Sequence, residues 1–258
     1  LLIVLFLIIF IWRGYRQKKK IQMGLERKNV EINLQKNQIE EKSKLITDSI
    51  DYAKNIQTAI LPPDDKFKSC IPDSFILFEP KDIVSGDFYF LNEIGDTILF
   101  ATVDCAGHGV PGAFMSIMAN NMLENIVLEK KIKNPSLILD ELNTAVKEAN
   151  KTASIKYGMD ASMVVFNKKK MELQFAGTNM PLVIVRNSGL LKLVADTIVL
   201  EKGDMVYVLT DGLTQNGMDN FTDLLKSIAN KKPEEQKEIL KNQMGEQKDD
   251  VLVVGIKI

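Results

Sequence analysis

The sequence predicts an α+β domain of antiparallel sheets covered by helices, entered through one long helix. Three observations carry that expectation. Residues 16–60 contain no proline and one glycine, Gly24, among abundant Lys, Glu, Gln and Leu, a composition that favours helix. After Pro62-Pro63 the chain breaks into short β-branched and aromatic runs divided by turn residues. Helix-length segments then fall in blocks between those runs, which suggests antiparallel sheets with helices packed on them.

Taken in order, Leu1 to Trp12 is apolar without interruption, and Arg13, Arg16, Lys18, Lys19 and Lys20 come directly after it. A bilayer needs about 20 apolar residues, so residues 1–12 read as the C-terminal part of a transmembrane helix, with a buried core helix or strand as the alternative. Positive charge placed after the run puts the downstream chain in the cytoplasm, whereas a secretory signal carries its charge before it. Leu25, Ile32, Ile39, Ile46, Ala53 and Ile60 recur every seven residues. That seam predicts a parallel coiled-coil homodimer through residues 21–60. The companion positions include Lys36, Ser43 and Gln57, so a single solvated helix is the alternative. Pro62-Pro63 ends the helix. The expected organisation is a membrane segment (1–12), a basic and linker helix (13–61) and a folded domain (62–258).

Within that domain, strands are expected over 75–78, 87–92, 98–103, 162–166, 172–176, 182–186, 190–194, 205–209 and 251–258. Helices are expected over 112–128, over 135–150 behind an Asn134 cap, and over 221–229 and 233–243. The net charge of −1, from 33 basic and 34 acidic residues, gives no sign of nucleic-acid binding. The two cysteines, Cys70 and Cys105, have neither metal-ligand spacing nor a disulfide pattern.

The chemistry gathers at strand ends. The apolar run 98–103 stops at Asp104 and turns through Gly107, Gly109 and Gly112 into an apolar helix, where Pro111 suits a first helical position. Asp87 comes after Ser85-Gly86 and opens the run Phe88-Tyr89-Phe90-Leu91; Asp211 closes the run 205–210; Asp249 and Asp250 open the last strand. Any one of these could simply start a turn, as Asp160 is read to do. Four carboxylates at the ends of apolar strands are costly to ionise without a nearby positive charge. An all-oxygen donor set points to magnesium or manganese rather than zinc.

The stretches Lys81-Asp82-Ile83-Val84-Ser85-Gly86-Asp87-Phe88-Tyr89, Asp104-Cys105-Ala106-Gly107-His108-Gly109-Val110-Pro111-Gly112-Ala113-Phe114-Met115-Ser116, Thr210-Asp211-Gly212 and Asp249-Asp250-Val251-Leu252-Val253 occur in that order. Through them the chain, over roughly residues 50–258, resembles the SpoIIE-like (RsbU-like) bacterial serine phosphatases, a branch of the metal-dependent PPM-type (protein phosphatase type 2C) family. The resemblance implies a four-layer αββα sandwich of two antiparallel sheets, with two Mn²⁺ or Mg²⁺ ions at one end. It implies that Asp87 bridges both ions, that Asp104 and the backbone carbonyl of Cys105 serve one, and that Asp211 and Asp249 serve the other. A metal-activated water would attack phosphorus directly, so no nucleophilic Ser or Cys is needed. His108, the sole histidine, could protonate the leaving seryl oxygen. The expectation is instead that it shapes the Gly-His-Gly turn, since type 2C enzymes place their histidine two residues after the Asp and not four.

The implied substrate is phosphoserine or phosphothreonine on a STAS-type anti-anti-sigma protein. The implied setting is the bacterial inner (cytoplasmic) membrane, with the catalytic domain in the cytoplasm. Compared with the family, the segments Ala195-Asp196-Thr197 and 213–220 are short and should leave the site open. Two other membrane signalling outputs lack their signatures: a histidine kinase needs a phospho-acceptor histidine on the linker helix, and residues 1–107 hold none; a diguanylate cyclase needs a Gly-Gly-Asp/Glu-Glu-Phe turn, and none occurs. A PPM-like domain that binds a partner without turnover remains as the alternative.

Overall fold

The computed structural model describes residues 2–152, 158–180, 182–187, 189–193, 195–213, 218–244 and 248–258. Contacts divide the chain into two units, Leu1–Ser49 and Ile50–Ile258. The first unit is the greater part of one helix, α1 (Leu2–Ile60). Its apolar residues Ile3 to Trp12 and its seam residues Leu25, Ile32, Ile39 and Ile46 are exposed in the single chain. The Arg16 guanidinium lies 3.8 Å from the centre of the Trp12 ring. Among the described residues no helix is long and apolar enough to cross a membrane.

The second unit begins inside that helix, at Ile50 rather than at Pro62. After the prolines comes a short helix, α2 (Asp64–Cys70), which buries Phe67 and Cys70. Ten strands come next: β1 (Ser74–Glu79), β2 (Asp87–Ile94), β3 (Thr97–Cys105), β4 (Met159–Asn167), β5 (Glu172–Gly177), β6 (Leu182–Arg186), β7 (Gly189–Leu193), β8 (Ala195–Val199), β9 (Met205–Leu209) and β10 (Val251–Lys257). They form two five-stranded sheets, ordered β1-β10-β9-β6-β7 and β2-β3-β4-β5-β8, antiparallel at every pairing. Among the described residues the unit has four more α-helices: α3 (Gly109–Glu124), which continues as a π-helical turn over Asn125–Glu129, α4 (Pro135–Thr152), α5 (Met218–Ile228) and α6 (Pro233–Gln243).

Side-chain alternation along the strands fixes the layers. Odd residues of β9 and β1 (Met205, Tyr207, Leu209, Phe75, Leu77) pack on Phe221, Leu225 and Ile228 of α5 and Leu240 of α6. Phe88, Phe90, Leu99, Ala101 and Val103 pack on Met115, Ala119 and Leu123 of α3 and Ile138, Leu142 and Val146 of α4. The remaining faces meet each other: Tyr89, Leu91, Ile98, Phe100 and Val164 against Ile76, Val206, Val208, Leu252 and Val254. Three apolar seams between four layers make the αββα sandwich.

Several local expectations are corrected. The helix α2 has no signal in the sequence: about two helical turns are too short to show a period, and Pro63 at its N-cap looks like the end of a linker. Ala195-Asp196-Thr197 is no loop but the start of β8, an exposed edge strand paired with β5. The helix after Asp104 begins at Gly109, so Pro111 sits inside the first turn, where its missing N–H costs no helical bond. Residues 214–217 of the expected short segment 213–220 lie outside the described residues.

Candidate active site

Three antiparallel strands bring three acids side by side. Asp87 on β2 is in register with Asp104 on β3, and Asp104 with Asp160 on β4. Directly paired residues point to one face. Here that face is the inner one, because Ile98, Phe100 and Val164, at even spacing from these acids, belong to the seam between the sheets. From the opposite sheet, Thr210 at the end of β9 donates its hydroxyl hydrogen to Oδ2 of Asp87 at 2.6 Å. The same Oγ1 accepts the N–H of Leu252 at 3.1 Å. The two sheets are therefore stitched together across the Asp87 carboxyl. Asp211 and Gly212 turn away from β9 in a single 3₁₀ turn.

The electrostatics arise from burial and crowding. Asp87 is 2% exposed, and its carboxyl is pushed up to about 9, first by desolvation and then by the charge of Asp104. Asp104 is pushed up to about 7, by desolvation and then by Asp211 and Asp249. Asp87 and Asp104 face one another across β2 and β3, so each carboxyl feels the other. Asp211, at the open rim, is raised by partial desolvation and by Asp249 and Asp160. The negative charges thus raise one another, which a cation among them would relieve.

The other predicted residues fall into distinct roles. Asp249 and Asp250 are adjacent yet do different things. Asp250 is buried and spends both oxygens on backbone, Oδ1 on Lys81 N–H at 2.7 Å and Oδ2 on Gly86 N–H at 2.8 Å. Asp249 accepts, among the described residues, only the N–H of Asp250, on Oδ1 at 2.9 Å, and its charge raises the carboxyls of Asp104 and Asp211. The Cys105 side chain points to the outer face, into the seam with α3 and α4, where burial pushes its thiol far up. Its carbonyl oxygen lies against Gly86, 2.8 Å from where a Cβ on that residue would sit.

His108 does not enter the row of acids: its Nδ1 pairs with Asp82 Oδ2 at 2.7 Å, both side chains about half exposed. Its neighbours Gly107 and Gly109 have φ of +96° and +64°, a conformation that needs glycine. His108 thus ties the turn to Asp82, in the segment that leads to Asp87.

Asp160 is the functional candidate that the sequence reading places before a strand and near the site but weighs chiefly as a turn residue. The sequence suggests a turn there, yet Asp160 lies in β4, in register with Asp104, and accepts a bond from Asn179 Nδ2 at 2.8 Å. A signal is present: Asp160 is an even number of residues from Val164 and Phe166, so an earlier start of the strand puts it on the inner face.

Whether these residues suit a divalent cation can be judged from the donors. Among the described residues no three His, Cys, Asp or Glu side chains close around one point; the acids are gathered but not converged. In kind they fit a hard cation, being oxygen donors throughout. One layer below Asp104 on the same face, the buried Thr102 Oγ1 has no hydrogen-bond partner, an unmet polar group of the sort that a hydrated ion's surroundings satisfy.

Comparison with known proteins agrees with this geometry. The family model described as Stage II sporulation protein E (SpoIIE) matches residues 94–194 and 155–258. Phosphoserine phosphatase RsbU of Bacillus subtilis (strain 168) is 25% identical over 217 residues, covering 76% of this chain and 64% of that protein; the chain thus spans somewhat under two thirds of that relative's length. The SiaA-PP2C domain of Pseudomonas aeruginosa superposes with a TM-score of 0.77 at 31% identity, over 84% of this chain and 98% of that one. RsbX, solved in complex with magnesium, shares the fold with a TM-score of 0.56 at 20% identity, over 72% and 94% of the two chains. The chain belongs to the SpoIIE family, the RsbU-like group of PPM-type phosphatase domains.

Proposed function

We propose that this protein is a metal-dependent phosphoserine/phosphothreonine phosphatase, the output domain of a bacterial membrane signalling protein. The observation that carries the reading is the row Asp87–Asp104–Asp160 with Asp211 and Asp249 at its rim, carboxyls raised by burial and by one another. Asp87, Asp104, Asp211 and Asp249 would hold two Mn²⁺ or Mg²⁺ ions, with Asp160 and the Cys105 carbonyl beside them. When bound, such ions supply a water acidic enough to attack phosphorus near neutral pH and screen the phosphoryl charge. The chain's own part is positional. Thr210 holds Oδ2 of Asp87. Asp82 and His108 fix the rim turn. The open rim at Asp211 admits a phosphorylated side chain on a protein, for which a STAS-type anti-anti-sigma regulator is the proposed partner.

The test is hydrolysis of p-nitrophenyl phosphate by the whole chain, with Mn²⁺ and with EDTA. Activity with Mn²⁺ that EDTA abolishes and that Asp87→Asn lacks is the expected result. No turnover with Mn²⁺ or Mg²⁺ bound would favour a partner-binding domain instead.

We further propose that α1 works as anchor and dimer linker. Ile3 to Trp12 would lie in the membrane with the basic residues at its cytoplasmic face. Leu25, Ile32, Ile39 and Ile46, exposed in the single chain, would pair with a second copy. A seam of this kind has discrete registers. Seven residues inserted after Glu40 should leave activity near its starting value, whereas three or four should lock it high or low. Equal activity for all three insertions reduces the helix to a tether.

A further inference from the structure

Near its C-terminal end α1 carries one polar residue that is not solvated. Gln57 is 4% exposed, although most of the helix around it is not buried. Its Nε2 donates to the Ser85 carbonyl at 2.6 Å and to the Ser116 hydroxyl at 2.8 Å. Its Oε1 accepts the Ser85 N–H at 3.1 Å. A single side-chain amide thereby satisfies both main-chain groups of Ser85, as a neighbouring strand would. Ser116, on α3, passes its own hydrogen to the Ala113 carbonyl, so the three-way contact has every donor matched to an acceptor.

Ser85 matters because it lies two residues before Asp87. The successive amides of Ser85, Gly86 and Asp87 are each held by a side-chain oxygen: Gln57 Oε1 at 3.1 Å, Asp250 Oδ2 at 2.8 Å and Ser85 Oγ at 3.0 Å. Gly86 is also pressed against backbone. A Cβ there would meet the Gly107 carbonyl oxygen at 2.4 Å, and one on Gly112 would meet the Gly86 Cα at 2.8 Å. The peptide that delivers Asp87 is thus fastened from α1, from α3 and from the chain before β10.

We propose that Gln57 is a positioning residue for the cation-binding carboxylate Asp87, so that attachment of the end of α1 and cation affinity are linked. The proposal rests on the reading of Asp87 as a metal ligand. A group that only fills a buried polar slot affects stability alone. A group that sets the angle of a ligand changes affinity for the ion, and linkage makes the effect reciprocal: bound cation must strengthen the hold on residues 50–60. Groups that orient metal ligands are worth about 10–100-fold in affinity.

The experiment uses the whole chain and three readouts: Mn²⁺ affinity by calorimetry, melting temperature in EDTA, and hydrogen exchange of the amides of residues 50–60 with and without Mn²⁺. Gln57→Met keeps the volume and removes the bonds. Gln57→Glu can still accept from Ser85 N–H but turns an oxygen toward the Ser85 carbonyl. Both should weaken Mn²⁺ about tenfold, with turnover recovering as Mn²⁺ is raised. In the wild-type chain Mn²⁺ should slow exchange over 50–60, and in Asp87→Asn it should not. Lower melting temperature with unchanged Mn²⁺ affinity in both variants, or exchange indifferent to Mn²⁺, overturns the proposal. Failure of the wild-type chain to bind Mn²⁺, or equal binding by Asp87→Asn, would instead overturn the metal reading on which it rests.

Discussion

The layer between the two sheets has two ends, built by the same strands on the same face of the pleat. At one end β3 contributes Ile98 and Phe100, β4 Val164 and Phe166, and β10 Leu252 and Val254. At the other, β3 contributes Thr102 and Asp104, β4 Ser162 and Asp160, and the lead-in to β10 Asp250. A step of two residues along β3 separates a phenylalanine from an unpartnered hydroxyl, and another step reaches a carboxyl with a pKa of about 7. The apolar end stabilises, at about 1.5–3 kcal/mol per large side chain buried. The acidic end costs stability, since buried carboxyls are held where they resist ionising. The first lets the second exist without collapse of the fold.

That division can be broken most sharply by mutation. Asp87→Asn, Asp104→Asn and Asp211→Asn should each lower Mn²⁺-dependent turnover by orders of magnitude while leaving urea unfolding near wild type. Phe100→Ala should do the opposite, costing about 3–5 kcal/mol in urea unfolding with turnover per folded molecule kept. Loss of turnover in still-folded Phe100→Ala would show that the two ends are not separable.

The pH dependence sharpens the same contrast. Asp87 and Asp104 are raised above the ordinary carboxylate range, so the folded chain binds more protons than the unfolded one between about pH 4 and their raised values. Their contribution is complete below about pH 4 and is lost as pH climbs toward 7 and then 9. Melting temperature in EDTA should therefore fall across that window, and Asp87→Asn should flatten the decline. Mn²⁺ should bind more tightly at higher pH, since it must displace those protons.

Two smaller effects probe the join. Thr210→Val removes the hydroxyl shared by Asp87 and Leu252 and should reduce Mn²⁺ affinity by about tenfold, read by titration. His108→Ala should cost less than any of the acid substitutions, because the ring pairs with Asp82 at the rim. A loss as large as that of Asp104→Asn would move His108 into the chemistry.

Much of this is legible in the sequence because strands with one buried face advertise themselves. The run 88–92 opens on a carboxylate and the runs 98–103 and 205–210 close on one, and the structure pairs Asp87 with Asp104 and bonds Thr210 to Asp87. The illegible part depends on pairing. Asp160 looks like a turn residue until β3 fixes its register. β8 packs only Ile198 against the core and is otherwise an exposed edge, so no alternation marks it. Gln57 reads as one more polar position on a solvated helix, and only the folded chain shows which backbone it meets. Asp250 cannot be told from Asp249 by composition, since identical side chains differ here in which backbone amides claim them: Asp250 takes those of Lys81 and Gly86 on its two oxygens, Asp249 that of its neighbour Asp250.

The two thiols have a use that lies outside catalysis. Cys105 is sealed between a sheet and its helices, and Cys70 in the seam between the sheets. Cys105 cannot meet an alkylating reagent unless its layer opens, and Cys70, beside Glu93, is largely shielded; burial raises both thiols besides. Their labelling rates are therefore two independent clocks on local unfolding, one for each side of the sheet that carries Asp87 and Asp104. A cation that tightens the acidic end should slow the Cys70 clock, and a ligand that loosens α3 should speed the Cys105 clock. An oxidant that disables phosphatases through a reactive cysteine would find no such cysteine exposed among the described residues.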